Sequence, residues 1–537
     1  MPALPRFPVK LPLSGMALAV LCGLYLLAGL TGHDPWKSDD AVNFGITYGF
    51  LTSSNWLVPH LAGEPMLGSL PLYYWLAAAC ARLFSWLLPL HDAARLASGL
   101  CGAIFLAFLA SASRRLDGPE AGSTAVLVVI GCLGLLVPIH DMQPQVALLA
   151  ASAAFYAGLA HLPQRPAMGG LQAGIGLGLG FLATGTNALI TLVPVLLLLP
   201  ASHYWRSAAS RRGLAVAIVV ALPLIILWPL LLARQAPTAL AAWWLADRPH
   251  FQSHWLSHVP DQAELLVWFA WPALPLALWT LWLNRHRLSE PALILPLAGT
   301  VTTLLALIFL YPPRPVEALP LLVPLTLLAA AGAGRMRRGA ANAFDWFGMM
   351  TLTLVAALIW LGGIAMTFGV PPKVAHNFAR LAPGFVAHGG ITVFASSALL
   401  TLAWVWLIFA SPRSPWRAVS HWASGVTLVW VLVIALWLPW IDYGKSYRGV
   451  AASLKRALPA SGQCIAGRNL GGAQRASLQY FAGIVTVRAN TRAGAACGLL
   501  LVQGSQKSRR PPPGWHKLWE GHRPGDRSER LRLYQRD

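Results

Sequence analysis

The sequence predicts an all-α polytopic membrane protein that ends in a small α/β domain. Three observations lead there. Of 537 residues, 56% are hydrophobic and 11% charged, whereas soluble proteins hold about 25% charged residues. Apolar runs of roughly twenty residues, the length that crosses a bilayer as a helix, recur along most of the chain. These runs do not alternate as barrel strands do. After Trp440 they give way to shorter polar and β-rich segments.

The first run, Leu11 to Leu30, follows Arg6 and Lys10. "GHDPWKSDD" comes next instead of a small-residue cleavage site, so the run reads as a retained span and not a signal peptide. Basic clusters separate the later runs: Arg114/Arg115, Arg165, Arg206/Arg211/Arg212, Arg285/Arg287, Arg335/Arg337/Arg338 and Arg413/Arg417. The positive-inside rule assigns them to the cytoplasmic side. Topology thus accounts for much of the net charge of +21 without a nucleic-acid partner. Pairing the clusters gives about thirteen spans, near 12–31, 95–113, 122–139, 146–162, 169–184, 187–203, 213–233, 264–283, 291–310, 318–334, 346–368, 389–410 and 419–440. An odd count puts the N-terminus in the cytoplasm and the C-terminal domain in the periplasm of a bacterial inner membrane.

That parity requires "LPLYYWLAAACARLFSWLLP" (70–89) not to cross. It reads as an interfacial helix with Tyr73, Tyr74, Trp75 and Trp86 near headgroups. The first outer loop then runs from 32 to 94 and carries two helices, Asp39–Leu51 and Leu70–Leu88. A loop of that length is usually functional. Residues 1–440 form the membrane domain and 441–537 the outer domain. In the latter, "VAASLKRALP" and "AQRASLQYFAG" read as helices. "QCIAG", "IVTVRA", "CGLLLVQG" and "RLRLYQ" read as strands, and "KSRRPPPG" as a loop. Cys22, Cys80, Cys101 and Cys132 fall in apolar runs and read as packing residues. Cys464 and Cys497 open predicted strands in an oxidising compartment and are expected to form a disulfide.

Only 19 residues are Asp or Glu, and two of them, Asp39 and Asp40, adjoin at the start of the first outer helix. Ser38 is a good N-cap there, and anions in a first helical turn are favoured by roughly 0.3–1 kcal/mol each. Neighbouring helical residues do not share a face. One Asp is therefore expected to face a cleft while the other braces the helix. A carboxylate at this place can act as a general base or ligate a divalent cation.

The stretch "DDAVNFGITYGFLTSSNWLVPHLAGEP", then "LPLYYWLAAACARLF" and "AARLASGL", resembles the first periplasmic loop of GT-C class membrane glycosyltransferases that use lipid-linked sugars. That group includes the protein O-mannosyltransferases and the lipid A aminoarabinose transferase. Thirteen spans and a small outer domain also resemble the aminoarabinose-transferase branch. The resemblance implies that Asp39 is the catalytic base, with Asp40 the acid beside it. Several positions depart from the family's pattern. Val42 and Asn43 replace an Arg and a Tyr, and Ser69 replaces a loop Lys. Gln145 stands where an Asp is usual, with His140 and Asp141 just before it, so Asp141 is the candidate second-loop acid. Thr184 replaces a Lys and Glu317 a Tyr, while Arg314 is kept.

The loop "WWLADRPHFQSHWLSHVPDQ" offers Arg248, His250, His254, His258 and Asp261. The histidines recur every four residues, so a metal site is one reading. A donor-phosphate contact by Arg248 with His250 or His254 is another, and a plain interfacial loop a third. The glycines of "GIGLGLGFLATG" lie in an apolar run and read as helix-packing positions, not as a nucleotide loop.

The implied function is inverting transfer of a sugar from a polyprenyl-phosphate carrier to lipid A, a glycan or a protein at the periplasmic face. Asp39 would act as base, and Arg314, Arg248, His254 and His250 would face the donor phosphate. No cofactor is required by the sequence, although a divalent cation fits the acids. A transporter of lipid-linked saccharides and a non-catalytic relative are the alternative readings.

Overall fold

The computed structural model describes residues 13, 15–36, 39–53, 55–387, 390–412, 414–459, 463–505, 511–526 and 528–537. Arg6, Lys10, Ser38, Arg413 and the start of "KSRRPPPG" lie outside the described residues. A helix or bent helix pair stands at each of the thirteen apolar runs, from Met16–Leu27 to Arg417–Lys445. By length and composition, eight helices among the described residues are fit to cross a membrane, and a ninth if one bent pair counts as a single span. Several helices open on proline, as at Pro119, Pro144, Pro166 and Pro291. There the missing N–H costs nothing and the fixed φ suits the first turn.

Two expectations need correction. The run at 264–283 is not one straight helix: Trp255–Phe269 and Ala273–Leu283 meet at 97°. Pro272 stands at the junction, ahead of the second helix, where a proline cannot continue the ladder of N–H donors. The 70–89 segment forms the 13-residue helix Leu72–Phe84, but Tyr73 and Tyr74 do not lie at a headgroup surface. Both are fully buried. Tyr73 Oη lies 2.6 Å from Ser98 Oγ, and Tyr74 donates to Asn43 Oδ1 at 2.8 Å. A buried phenol needs a partner for its hydroxyl, and the next helix, Leu90–Asp117, and the Asp39–Thr52 helix supply them. Trp86 remains exposed.

The glycine run is a packing device. A Cβ at Gly176 would stand 2.6 Å from Phe155 N, and one at Gly174 2.5 Å from Ala217 O. Pro166–Thr184 therefore packs backbone to backbone between Pro144–His161 and Ala208–Gln235.

The outer domain is a five-stranded sheet in the order Thr486–Arg488, Ile465–Arg468, Leu499–Gly504, Arg530–Arg536, Trp515–Gly521. The first three strands are parallel and the last two pair antiparallel. Helices Arg448–Ala457 and Gly472–Ala482 cover it through Val450, Leu454 and Leu478, which pack on Ile465, Leu499 and Leu501. Trp515–Gly521 was not legible as a strand because it is an edge strand with exposed His516, Lys517 and Leu518, a pattern that protects edges and masks alternation. Cys464 and Cys497 form the expected disulfide, with Cα atoms 5.1 Å apart across a separation of 33 residues. Replacing Cys497 by Ser is expected to lower outer-domain stability by about 2–4 kcal/mol, measured by urea-dependent proteolysis of that domain. A change below about 0.5 kcal/mol would refute the stabilising role.

The outer domain rests on the first outer loop. Ideal Cβ atoms at Gly45 and Gly49 would stand 2.5 Å from Ala476 Cβ and 2.4 Å from His60 O. The Asp39–Thr52 helix is therefore clamped between the Gly472–Ala482 helix and the hairpin His60–Leu61/Glu64–Pro65.

Candidate active site

The two adjacent acids have separate environments. Asp40 is 3% exposed. Its carboxylate accepts from Arg95 Nη2 at 3.0 Å and from the backbone N–H groups of Met142 and Trp36 at 3.0 and 3.2 Å. Burial alone would raise its pKa, but the Arg95 charge, His33 and these hydrogen bonds outweigh it and hold the carboxyl below its ordinary value. Arg95 is wholly buried and also donates to Asp92 Oδ1 at 2.9 Å, while Asp92 accepts from Gly32 N at 2.9 Å. Arg95 thus ties the start of the first outer helix to Leu90–Asp117. Sequence reasoning did not single it out. The one signal was an arginine at the head of an apolar run, where an unpaired charge would be costly.

Asp39 is exposed and lines a cavity of about 490 Å³. Arg248, His250 and Arg314 line the same cavity, as do Ser69, Gln145, Thr184 and Glu317. His254 does not: it stands ahead of the Trp255–Phe269 helix, and its carbonyl accepts from Ser257 Oγ. His250 lies in the irregular segment between the helices Pro237–Asp247 and Trp255–Phe269, so the three histidines do not share one helical face. Among the described residues no three His, Cys, Asp or Glu side chains are grouped as a metal site.

The cavity's walls are fixed by polar contacts that local sequence does not reveal. Asn43 donates to Met142 O at 2.6 Å and accepts from Tyr74, joining the outer helix, the second outer loop and Leu72–Phe84. Asp247 accepts from Thr186 N at 2.9 Å. Burial, partly offset by the Thr186 bonds, raises its pKa. Gly185, at φ +63°, permits this approach, since its Cβ would fall 2.3 Å from Asp247 Oδ2. Asn187 Nδ2 lies 3.4 Å from Glu317 Oε2.

Gln143 Nε2 lies 3.4 Å from Asp39 Oδ2. Asp39, Gln143 and Val316 also line a second cavity of about 790 Å³, with Asp141, Asp261, Glu264 and apolar residues of Trp255–Phe269. Asp39 is therefore reachable from two sides. Asp141 borders only the second space. Burial first, then the nearby Asp40 charge, pushes its carboxyl up to about 7. A raised folded pKa favours the protonated form, so this stability is present at low pH and lost as pH rises through about 7. Asp141→Asn is accordingly expected to raise the thermal midpoint at pH 8 and to flatten its fall between about pH 4 and 7, where the folded and unfolded states differ in bound protons. An unchanged pH profile would contradict this.

Residues 64–229 match the family described as dolichyl-phosphate-mannose-protein mannosyltransferase. The undecaprenyl phosphate-alpha-4-amino-4-deoxy-L-arabinose arabinosyl transferase of Edwardsiella ictaluri is 27% identical over 473 residues, covering 79% of this chain and 76% of the relative. The enzyme of that name from Pseudomonas aeruginosa (strain UCBPP-PA14) is 28% identical over 449 residues, covering 78% and 74%. The crystal structure of ArnT from Cupriavidus metallidurans bound to undecaprenyl phosphate superimposes with a TM-score of 0.70 at 14% identity, covering 96% of this chain and 97% of that one. Taken together, these likenesses show a multi-span membrane protein that shares the fold of ArnT and is similar in sequence to the aminoarabinose-transferring membrane glycosyltransferases.

Proposed function

We propose that this protein moves a glycosyl group from a polyprenyl-phosphate carrier to an acceptor in the cell envelope, at the periplasmic face of the inner membrane. The observation that carries the reading is the shared cavity in which Asp39 meets Arg248, His250 and Arg314. Asp39 takes the proton from the acceptor oxygen as that oxygen attacks the anomeric carbon from the face opposite the carrier. The bond from that carbon to the phosphate oxygen breaks, and configuration inverts. The departing polyprenyl phosphate carries the negative charge, which Arg248 and Arg314 stabilise by charge-assisted hydrogen bonds. Asp40 remains with Arg95 and holds the helix that presents Asp39.

An apolar groove of about 590 Å³ lies beside this cavity, lined by Trp56, Trp75, Leu182, Leu224 and Trp228. Trp75 and Leu182 are one and two residues from Tyr74 and Thr184 of the polar cavity. A carrier whose phosphate enters the cavity can lay its hydrocarbon tail there. The second space, beyond Gln143, gives a further opening onto Asp39. Residues 1–440 form the transferase domain and 441–537 the periplasmic domain, with the N-terminus cytoplasmic. The relatives' donor, a 4-aminoarabinose on undecaprenyl phosphate, is the first to test, with lipid A as acceptor. The experiment is transfer in proteoliposomes containing both lipids, read by mass spectrometry of the acceptor. Product carrying the sugar supports the reading. Intact donor with folded protein, for this and other polyprenyl-phosphate sugars and with glycan and protein acceptors, counts against it.

A further inference from the structure

A separate cavity of about 580 Å³ lies between the His60–Pro65 hairpin and the outer domain. It opens at the carboxyl ends of the parallel strands Ile465–Arg468 and Thr486–Arg488, the end of a parallel sheet that most often receives ligands. Its size is within the range of small-molecule sites. Three of its lining residues are arginines, Arg468, Arg475 and Arg488, and one is an acid, Glu64.

Glu64 Oε2 accepts from Arg475 Nη1 and from Arg488 Nε, each at 2.8 Å. One carboxylate is thus shared by two guanidinium groups. Arg475 is buried and held in place by this bond and by Ala62 O. Arg468 is exposed and, among the described residues, has no side-chain hydrogen bond or ion pair, so its fork is available. Arg488 uses only its Nε. The positive charge therefore exceeds what Glu64 neutralises, and the free donors have the planar geometry that suits phosphate oxygens. Asn469, at φ +59°, and Asn490 and Thr486 add neutral groups able to bond sugar hydroxyls.

The cavity is also close to the transfer site along the chain. Met66 lines it, and Gly68 lines the Asp39 cavity. Two residues span at most about 7 Å. The hairpin that supplies Glu64 packs on the Asp39–Thr52 helix through Gly49.

We propose that this cavity binds the phosphate of a phosphorylated saccharide and so docks an acceptor headgroup beside the transfer site. The docking role rests on the transfer reading above, whereas the binding itself does not. The same chemistry occurs in the headgroup of an anionic glycolipid and in a soluble sugar phosphate.

The test uses the full chain in nanodiscs, titrated calorimetrically with glucosamine 1-phosphate and with glucosamine. The phosphosugar is expected to bind saturably and glucosamine not to. R468A, which removes an exposed side chain, is expected to weaken binding about tenfold or more, the loss of a hydrogen bond to a charged group. A second arm compares discs with and without lipid A. Displacement of the phosphosugar by lipid A assigns the site to a lipid headgroup, and binding that lipid A leaves untouched assigns it to a soluble sugar phosphate. Absence of saturable binding in both arms, or unchanged affinity in R468A, overturns the proposal. D39N is expected to leave this binding intact. Wild-type transfer rates in D39N would refute the base assignment without touching the phosphate site.

Discussion

Asp39→Asn is expected to lower glycosyl transfer by about 10²- to 10⁴-fold, the usual contribution of a positioned general base. The substitution keeps the side chain's shape and removes its ability to accept a proton. Its structural cost should be small. Asp39 is exposed in the cavity, and among the described residues its one side-chain hydrogen bond is the 3.4 Å contact with Gln143, which an amide oxygen can still accept. Thermal midpoint and donor affinity are therefore expected to match the wild type. Proteoliposome transfer, measured alongside the midpoint, separates the two effects. Near-wild-type transfer would remove Asp39 from the reaction and shift attention to Asp141, which borders the second space.

The second large effect is on stability. Arg95→Met leaves Asp40 and Asp92 buried without their common counter-charge. Breaking a buried ion pair by deleting one partner costs about 3–5 kcal/mol, because the remaining charge is uncompensated. Surface pairs such as Arg287–Glu290 have no such penalty. The folded protein should lose yield and thermal midpoint, and transfer should fall with the displacement of the Asp39 helix. Adding Asp40→Asn to Arg95→Met is expected to recover part of the stability, since it removes one orphaned charge. A thermal melt in detergent of the wild type and both variants checks this. An unchanged midpoint for Arg95→Met would show that water reaches the acids and that the network does not hold the helix.

The acid pair shows how local and long-range information divide. Sequence alone was enough to place two carboxylates at a helix start, because capping preference and helical spacing act within one turn. It also implied that their side chains diverge. Which of them meets solvent depends on Arg95, 55 residues away, and on the backbone of Met142, 102 residues away. No local periodicity encodes those distances. His250 and His254 were equivalent as sequence candidates, yet only His250 lines the cavity, because the chain turns before Trp255.

The same division holds for the fold. Apolar runs and the prolines that open them located the helices, since each bilayer crossing must satisfy its own backbone within a single segment. Alternation located most strands of the C-terminal domain, and the place of Cys464 and Cys497 at the starts of predicted strands suggested their pairing. Tertiary structure alone decided the 97° break at Pro272, the burial of Tyr73 and Tyr74, and the edge strand Trp515–Gly521. A bend, a burial and a strand edge depend on what lies against the segment, and those neighbours come from distant parts of the chain. The cavities are the extreme case. The space around Asp39 is walled by residues from 39 to 317, so it exists only once the helices have packed.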